Sequence, residues 1–221
     1  MKSVTSISLI ILVLFFGSCD TVRKDDQISG AQYSVCYIQD YIEVENLSVR
    51  GNSKYLSVVG QGKSISGNSL CTYYNDRSYN REIVPHSTEA ITNCFTAIDI
   101  VSDSDFDERH KAGASLADIT FLAGASPYDY IQSGYTKTFD WKNAPLFFEQ
   151  DQLYKWYDPN DSPIYIRLSE IDNRDLILLN PIFFLTFESQ PTLSKSHRLT
   201  LTIIDEKSKS LVAEFDWSAT E

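Results

Sequence analysis

Three aromatic side chains and one carboxylate in the second half of the chain could together bind a sugar. They are Trp141, Trp156, Tyr157 and Asp158. Exposed aromatic rings stack on the C–H groups of a sugar face, and carboxylates accept hydrogen bonds from sugar hydroxyls. We therefore interpret these residues as the rim of a ligand site. Trp156 and Tyr157 are adjacent, so in an extended segment their side chains should point to opposite faces.

The proposed rim lies in the most aromatic part of the chain, which could instead be core. Residues 128–157 contain ten aromatic residues, whereas the whole sequence is 13% aromatic. The polar residues Asp140, Asn160 and Asp161 flank these rings and add hydrogen-bond acceptors. Aromatic side chains also supply much of the buried area of protein interiors. We therefore expect half or more of the ten rings to fill the core of the sandwich.

Hydrolysis is a second hypothesis for the chemistry. It would require two carboxylates, or a serine and a histidine, that meet in one cleft. The sequence has thirty acidic residues and only three histidines, His86, His110 and His197, and no spacing selects a catalytic set among them. GxSxG, HExxH and P-loop motifs do not occur. We predict a non-catalytic protein without a cofactor, and hydrolysis is the less favoured alternative.

Four acidic residues in one stretch have a spacing that could suit calcium. They are Asp103, Asp105, Asp107 and Glu108. Counted from Asp103, an EF-hand loop needs glycine at the sixth position and glutamate at the twelfth. Glu108 and Ala114 stand there instead, so the stretch is not an EF-hand. The two interpretations left are a solvated acidic loop and an irregular calcium site, and we assign no metal ligand.

Three cysteines follow the N-terminal one, and in an oxidising compartment two of them would pair. We predict a disulfide between Cys71 and Cys94, because both lie beside strand-like segments and would close a modest loop. Cys36 stands at an apolar position of an alternating segment, so we interpret it as a small buried residue. The CxxC spacing typical of zinc sites is absent.

The N-terminus has the pattern of a secretion signal. Lys2 precedes the apolar run 7–16, which is too short to span a bilayer but fits the central region of a signal peptide. The pair Gly17-Ser18 directly before Cys19 resembles a bacterial lipobox, in which the cysteine is lipidated. Phe16 departs from that pattern, which usually has an aliphatic residue. We predict a signal peptide over residues 1–18 and a lipid anchor on Cys19.

Residues 19–32 have the polar composition of a solvated tether. Within them, Lys24-Asp25-Asp26 resembles the signal that carries Bacteroidetes lipoproteins to the cell surface. Together with the acidic, β-rich body, this stretch makes the chain similar to the small envelope lipoproteins of that phylum. The resemblance implies an outer-membrane location, lipid-anchored on the cell surface or the periplasmic face. It also implies a role in glycan capture or surface assembly.

Charge and composition limit the partners. The net charge of −11 argues against nucleic acid, because phosphate backbones are bound by basic surfaces. With 43% hydrophobic and 22% charged residues, the chain has the composition of a globular protein. The expected partners are therefore the membrane, through the lipid, and a glycan or an envelope protein. A structural subunit of an outer-membrane complex is the alternative to a binding module.

Alternation of apolar and polar residues predicts short strands along most of residues 33–221. The clearest case is a hairpin that joins residues 198–204 to 211–217. Glycines predict a turn around residues 60–62. The only helix signal covers residues 115–124, where a serine precedes an apolar pattern and a glycine ends it. We predict one mainly β domain over residues 33–221, an antiparallel β-sandwich that is immunoglobulin-like or related, with one short helix.

Overall fold

A computed structural model describes residues 35–65, 67–80, 88–150, 152–172 and 174–219. The predicted signal peptide, Cys19 and the predicted tether lie outside the described residues, and so does His86. The described residues belong to one compact unit.

The described chain is mainly β, with 42% of residues in strands and 13% in helices. The strands in chain order are β1 (Asp40–Gly51), β2 (Leu56–Ile65), β3 (Glu89–Ile91), β4 (Phe95–Ser102), β5 (Thr120–Ser126), β6 (Ser162–Arg167), β7 (Ile182–Phe187), β8 (Ser196–Asp205) and β9 (Ser210–Ser218). The α-helices are short: α1 (Gly67–Tyr73), α2 (Tyr128–Gln132) and α3 (Leu146–Gln150). Three 3-10 helices cover Trp141–Asn143, Leu153–Trp156 and Leu168–Glu170.

The strands form two sheets. The larger sheet has the order β3-β1-β2-β7-β5-β6, and the smaller has the order β4-β8-β9. All pairs are antiparallel except β1 with β3, which is parallel. The predicted hairpin is confirmed as β8 and β9. A sandwich-like arrangement of the two sheets fits this topology, so the predicted fold class is confirmed.

The main core lies between the sheets. Val58 and Leu185 from the larger sheet are fully buried in one cluster with Ile100 and Leu201 from the smaller sheet. Burial of such aliphatic side chains is the dominant stabilising contribution, at about 25 cal/mol per Å² of apolar surface. The clean alternation that predicted these strands therefore reflects a real inner face.

A second apolar layer covers the opposite face of the larger sheet, and it positions the candidate site. Leu122 points into the main core, whereas its neighbour Ala123 belongs to a separate cluster with Phe184 of β7. Successive residues of a strand alternate between faces, so Ala123 and Phe184 lie on the face turned away from the smaller sheet. Phe148 and Tyr157, from the aromatic-rich segment, also belong to that cluster.

The predicted helix over residues 115–124 is wrong. Residues 120–126 form β5, which pairs with β6 on one side and β7 on the other. Six of its seven residues are buried, so both faces of this strand are covered. The serine signal has a local role, since Ser115 Oγ accepts a hydrogen bond from the N–H of Ala117. Pairing on both edges outweighs a weak helical propensity.

The predicted turn at residues 60–62 is also wrong, because these residues continue β2. The register of β1 against β2 shifts between Val44 and Asn46, opposite this stretch. A Cβ atom on residue 62 would overlap the carbonyl oxygen of Glu43. Gly62 is therefore required by the close approach of two strands at an irregularity, which is a common role of glycine inside a sheet.

Candidate functional site

Three of the four predicted rim residues line one pocket of about 180 Å³. They are Trp156, Tyr157 and Asp158. The other residues that line this pocket are Thr88, Lys155, Asp161 and Asn180. Drug-sized ligands occupy pockets of about 300–1,000 Å³. The smaller volume here suits a compact polar ligand such as a single sugar ring.

Trp141 supports this pocket from behind. Its ring stacks on that of Tyr157, with centroids 5.8 Å apart and planes at 10°. Phe148 packs edge-on against both rings. Such aromatic contacts stabilise by about 0.5–1.5 kcal/mol each beyond the area that they bury. Trp141 is therefore a half-buried support for Tyr157 and does not line the pocket.

The backbone around residues 152–161 explains how these side chains are held. Gln152 has a left-handed conformation, with φ of 55°, and it starts the 3-10 helix Leu153–Trp156. Leu153 is fully buried in the cluster below, so it fixes this helix to the sheet. After the helix, Asp158 Oδ1 accepts a hydrogen bond from the N–H of Asn160 at 2.9 Å. Aspartate commonly stabilises tight turns through such bonds.

The rim residues differ strongly in exposure. The side chain of Trp156 is 60% exposed, whereas Tyr157 and Asp158 are 6% and 5% exposed. Trp156 ends the 3-10 helix, and Tyr157 follows it with extended backbone angles. Trp156 thus presents its ring to solvent beside a buried hydroxyl and a buried carboxylate. This combination of an apolar face and adjacent polar atoms is the one expected of a carbohydrate site.

Two buried polar atoms at the pocket have no hydrogen-bond partner among the residues that the structure describes. They are the hydroxyl oxygen of Tyr157 and Oδ2 of Asp158. Leaving a buried polar group unsatisfied costs about 1–3 kcal/mol, and more when the group is charged. Such groups are rare in folded proteins and need an explanation. Both atoms are closed to solvent in the structure, so a ligand with hydroxyl groups could pair with them only after the side chains around them move.

Asp161 forms the floor of the site with an altered acidity. Its side chain is 1% exposed. Burial, followed by repulsion from the carboxylate of Asp158, raises the pKa of Asp161 to about 8. The Tyr37 hydroxyl lies 3.5 Å from Oδ1 of Asp161 and donates to it. Asp161 is therefore mostly protonated at neutral pH and can itself donate a hydrogen bond, whereas Asp158 contributes an acceptor.

The tyrosines around this pair keep their protons. Burial, followed by the negative charge of Asp161, raises the pKa of Tyr157 above its ordinary value. The same two causes, with a further contribution from Asp158, raise the pKa of Tyr37. Both hydroxyls therefore stay neutral over the physiological range.

Sequence reasoning did not include Thr88, Lys155 and Asn180. Thr88 directly precedes β3, and Asn180 lies shortly before β7, so neither is near the aromatic-rich segment in sequence. Thr88 Oγ1 donates to the carbonyl oxygen of Tyr37, and the Asn180 N–H donates to Ala125. Nothing local marks these two residues as ligand-binding. Lys155 could have been noticed, since it immediately precedes Trp156 in the sequence.

The other aromatic residues of the segment are mostly structural. Tyr130 is buried, and together with half-buried Tyr135 it contacts Tyr37 and Tyr79 in a second cluster of tyrosines. Among the ten rings only Tyr154 and Trp156 are exposed. The expectation that half or more of the ten rings fill the core of the sandwich is therefore wrong: three are buried, and none belongs to the core between the two sheets. Trp156 is the exposed ring at the pocket.

The predicted pairing of Cys71 with Cys94 stays a prediction, and the structure places Cys71 near a different cysteine, Cys36. All three described cysteines are thiols, and Cys71 lies in α1 beside Cys36. The backbone of Cys94 is held by Glu206 through two hydrogen bonds, one of them from its N–H to Glu206 Oε2 at 2.7 Å. Cys71 is 3% exposed and packs in the tyrosine cluster. Its neighbouring thiol is half-buried Cys36.

A serine and a histidine meet elsewhere, but without a cleft. Ser102 Oγ and Ser104 Oγ lie 2.8 and 3.0 Å from Nδ1 of His197. Nε2 of this histidine lies 2.8 Å from the carbonyl oxygen of Ser194. Ser102 and His197 are 2% and 3% exposed. A nucleophile must reach its substrate, so this buried network connects β4 to β8 and has a structural role.

Three of the four carboxylates in the acidic stretch at residues 103–108 accept hydrogen bonds within the fold. Asp103 accepts from the N–H of Arg198, and Asp105 accepts from Ala112 and Lys111. Asp107 contacts buried His110, whose other ring nitrogen lies 3.0 Å from Asp118. Burial lowers the pKa of His110, but the two carboxylates outweigh this effect and raise it overall. These contacts favour the structural interpretation of the stretch over calcium binding.

Comparison with protein-family models, with curated proteins and with solved structures found no match to this chain. Among the described helices, none has both the length and the apolar character needed to cross a bilayer.

Proposed function

We propose that the chain is a non-catalytic, lipid-anchored protein of the cell envelope that binds a glycan at the Trp156 pocket. The main support for this proposal is that an apolar surface and buried polar atoms occur together at that pocket. An exposed tryptophan adjoins two buried polar atoms, on Tyr157 and Asp158, that have no partner among the described residues. The exposed ring and the unsatisfied acceptor match the two kinds of surface that every pyranose presents.

The ligand chemistry follows from these groups. A sugar ring would lay its C–H face on Trp156 and, once the side chains that cover Oδ2 of Asp158 move aside, point a hydroxyl hydrogen at that oxygen. Protonated Asp161 is a neutral hydrogen-bond donor at neutral pH. The body is acidic as a whole. We therefore expect neutral or amino sugars to bind better than uronic or sialic acids.

The envelope location rests on the sequence pattern before and after Cys19. A single acyl chain binds membranes only reversibly, and stable anchoring needs more than one. The diacylglycerol of a bacterial lipoprotein meets that requirement. The excess of acidic residues should hold the body away from an anionic bilayer, so that the pocket faces water.

A glycan array tests the proposal directly. The soluble body, residues 27–221, should bind a subset of neutral glycans. The Asp158→Asn variant should lose this binding, because its remaining oxygen still accepts from the Asn160 N–H while an amide donor replaces Oδ2. A flat array with correctly folded wild-type protein would contradict glycan binding and would favour a structural subunit of an envelope complex.

Hydrolysis is a second candidate, favoured by one observation. Two buried carboxyl groups lie at the same pocket, and the pKa of one of them, Asp161, is raised to about 8; pairs of carboxyl groups supply the acid and base of glycosidases. Incubation with glycans and measurement of new reducing ends separates the two functions. A binding module releases none, whereas a glycosidase releases sugars and loses this activity in both Asp158→Asn and Asp161→Asn.

A further inference from the structure

Two thiols meet at the start of the described chain. Cys36 lies in the segment that leads into β1, and Cys71 lies in α1. The Sγ atoms lie within 4.8 Å of each other, and a carboxylate oxygen of Asp76 lies within the same distance of both. A disulfide has a sulfur–sulfur distance of about 2 Å. A modest approach of the two side chains would therefore join them.

Hydrogen bonds hold the backbone around both thiols. The carboxylate of Asp76 accepts from the N–H of Tyr37 at 2.7 Å, directly after Cys36. The N–H of Asp76 in turn donates to the carbonyl oxygen of Cys71 at 2.7 Å. On the other side of Cys36, the carbonyl oxygen of Val35 accepts from Tyr79 at 3.0 Å. The fold thus fixes Cys36 opposite Cys71 through Asp76.

Two thiols and a carboxylate could also bind a metal ion. The carboxylate of Asp76 is already used by four donors. They are the backbone N–H groups of Tyr37 and Ile38 and the hydroxyls of Tyr41 and Tyr135. Zinc would have to displace several of these bonds, and structural zinc sites take four ligands. The geometry therefore favours a bond between the two sulfurs.

We propose that Cys36 and Cys71 form a disulfide in the mature protein, with a small-molecule or protein disulfide as the oxidant. The half-buried Cys36 attacks the oxidant as a thiolate, forms a mixed disulfide and releases one thiol of the oxidant. Cys71 then attacks the sulfur of Cys36, and the second thiol of the oxidant leaves. The two cysteines lose two electrons and two protons, and one oxidant disulfide becomes two thiols.

The bond would reinforce the end of the body that is next to the tether. Force from a membrane anchor reaches the described chain at Val35, where hydrogen bonds through Tyr79 and Asp76 are the first resistance. A covalent link from Cys36 to α1 would keep the segment before β1 in place even when these hydrogen bonds break. It would also restrict the unfolded chain, which is the usual source of stabilisation by disulfides.

The pairing is a property of the fold, whereas its formation in the cell rests on the proposed envelope location. Thiols in the cytosol stay reduced, and envelope compartments oxidise them. The pKa of Cys36 is raised to about 12. Burial is the largest cause, and hydrogen bonding with Cys71 and repulsion from it come next. Thiolate is therefore scarce in the folded protein. Oxidation should be slow at neutral pH and faster at alkaline pH.

An oxidation experiment on the purified protein tests the pairing without reference to location or to glycans. The full chain in detergent micelles is reduced, freed of reductant and incubated with oxidised glutathione at mildly alkaline pH. Non-reducing digestion and mass spectrometry should then find one cross-linked peptide pair that contains Cys36 and Cys71. The urea midpoint should shift to a higher concentration than that of the reduced protein.

Matched variants separate the alternatives. Cys94→Ser should keep the cross-link and the shift in urea midpoint, whereas Cys36→Ser and Cys71→Ser should lose both. A link between Cys71 and Cys94, or full alkylation of Cys36 and Cys71 after prolonged oxidation, would overturn the proposal. So would tight binding of zinc by the reduced wild-type chain that protects both thiols from oxidised glutathione. If the cross-link forms and the glycan array is flat, only the proposed glycan site fails.

Discussion

The backbone N–H of Asp161 donates to the carbonyl oxygen of Asp158 at 3.0 Å, and this turn buries both carboxyl groups at one pocket. Burying two acids near each other is costly unless one keeps its proton. The raised pKa of Asp161, about 8 instead of 3.8, is the result. The pair therefore makes the stability of the fold depend on pH.

The Asp161→Asn variant should be more stable than the wild type at alkaline pH. Folded Asp161 binds its proton more tightly than the unfolded chain does, so the free energy of unfolding falls as pH rises from about 4 to about 8. Asparagine removes this loss. Urea denaturation from about pH 4 to about pH 9 should show that the variant becomes a few kcal/mol more stable than the wild type by the upper end of the range, since one pKa unit corresponds to about 1.4 kcal/mol.

A matched control for this variant is Asp216→Asn, because the side chain of Asp216 is 86% exposed. It should leave the dependence of the urea midpoint on pH as in the wild type. An Asp161→Asn variant with an unchanged pH slope would contradict a protonated Asp161 in the folded protein.

The Tyr157→Phe variant should separate ligand binding from stability. The hydroxyl of Tyr157 is buried without a partner among the described residues. Removal of this hydroxyl should leave the free energy of unfolding unchanged or raise it by about 1–3 kcal/mol. Affinity for a glycan found on the array should fall. Titration calorimetry and urea denaturation measure the two effects on the same preparation.

Tyr135→Phe is the comparison for this change. The hydroxyl of Tyr135 donates to Asp76 at 2.8 Å and lies outside the pocket. Its loss should cost about 1 kcal/mol of stability and leave affinity intact. If Tyr157→Phe instead destabilises the protein as Tyr135→Phe does, the hydroxyl of Tyr157 has a structural role.

The Trp156→Ala variant should lose affinity with little loss of stability. The ring is 60% exposed and belongs to the rim of the pocket. Loss of one stacking contact of about 1–1.5 kcal/mol lowers affinity about tenfold. Tyr154→Ala removes a neighbouring ring, 38% exposed, that does not line the pocket, and it should bind as the wild type does. Equal losses of affinity in both variants would contradict a ligand site at Trp156.

The Cys19→Ala variant should no longer attach to membranes. Without the thiol no thioether to lipid can form, and the acidic body has no charge attraction to an anionic bilayer. Cell fractionation and detergent phase partitioning should find the variant in the soluble or precursor fraction instead of the membrane fraction. Cys94→Ala is the control and should stay with the membrane. Membrane attachment of Cys19→Ala would contradict the predicted anchor.

The sequence by itself determined the elements whose signals are local. Alternation of apolar and polar residues predicted the hairpin of β8 and β9, and the position of Trp156, Tyr157 and Asp158 beside a turn suggested a common site. Such patterns are readable because neighbouring residues of a strand face opposite sides and turns depend on short-range hydrogen bonds.

Tertiary structure decided the features that depend on distant partners. Residues 115–124 have a helix signal, but pairing of β5 on both edges makes part of them a strand. Cys71 meets Cys36 because Asp76 bonds to the backbone on both sides, which no spacing reveals. Thr88 and Asn180 reach the pocket from distant loops, and Asp161 becomes a protonated acid only because packing excludes water from its carboxyl group.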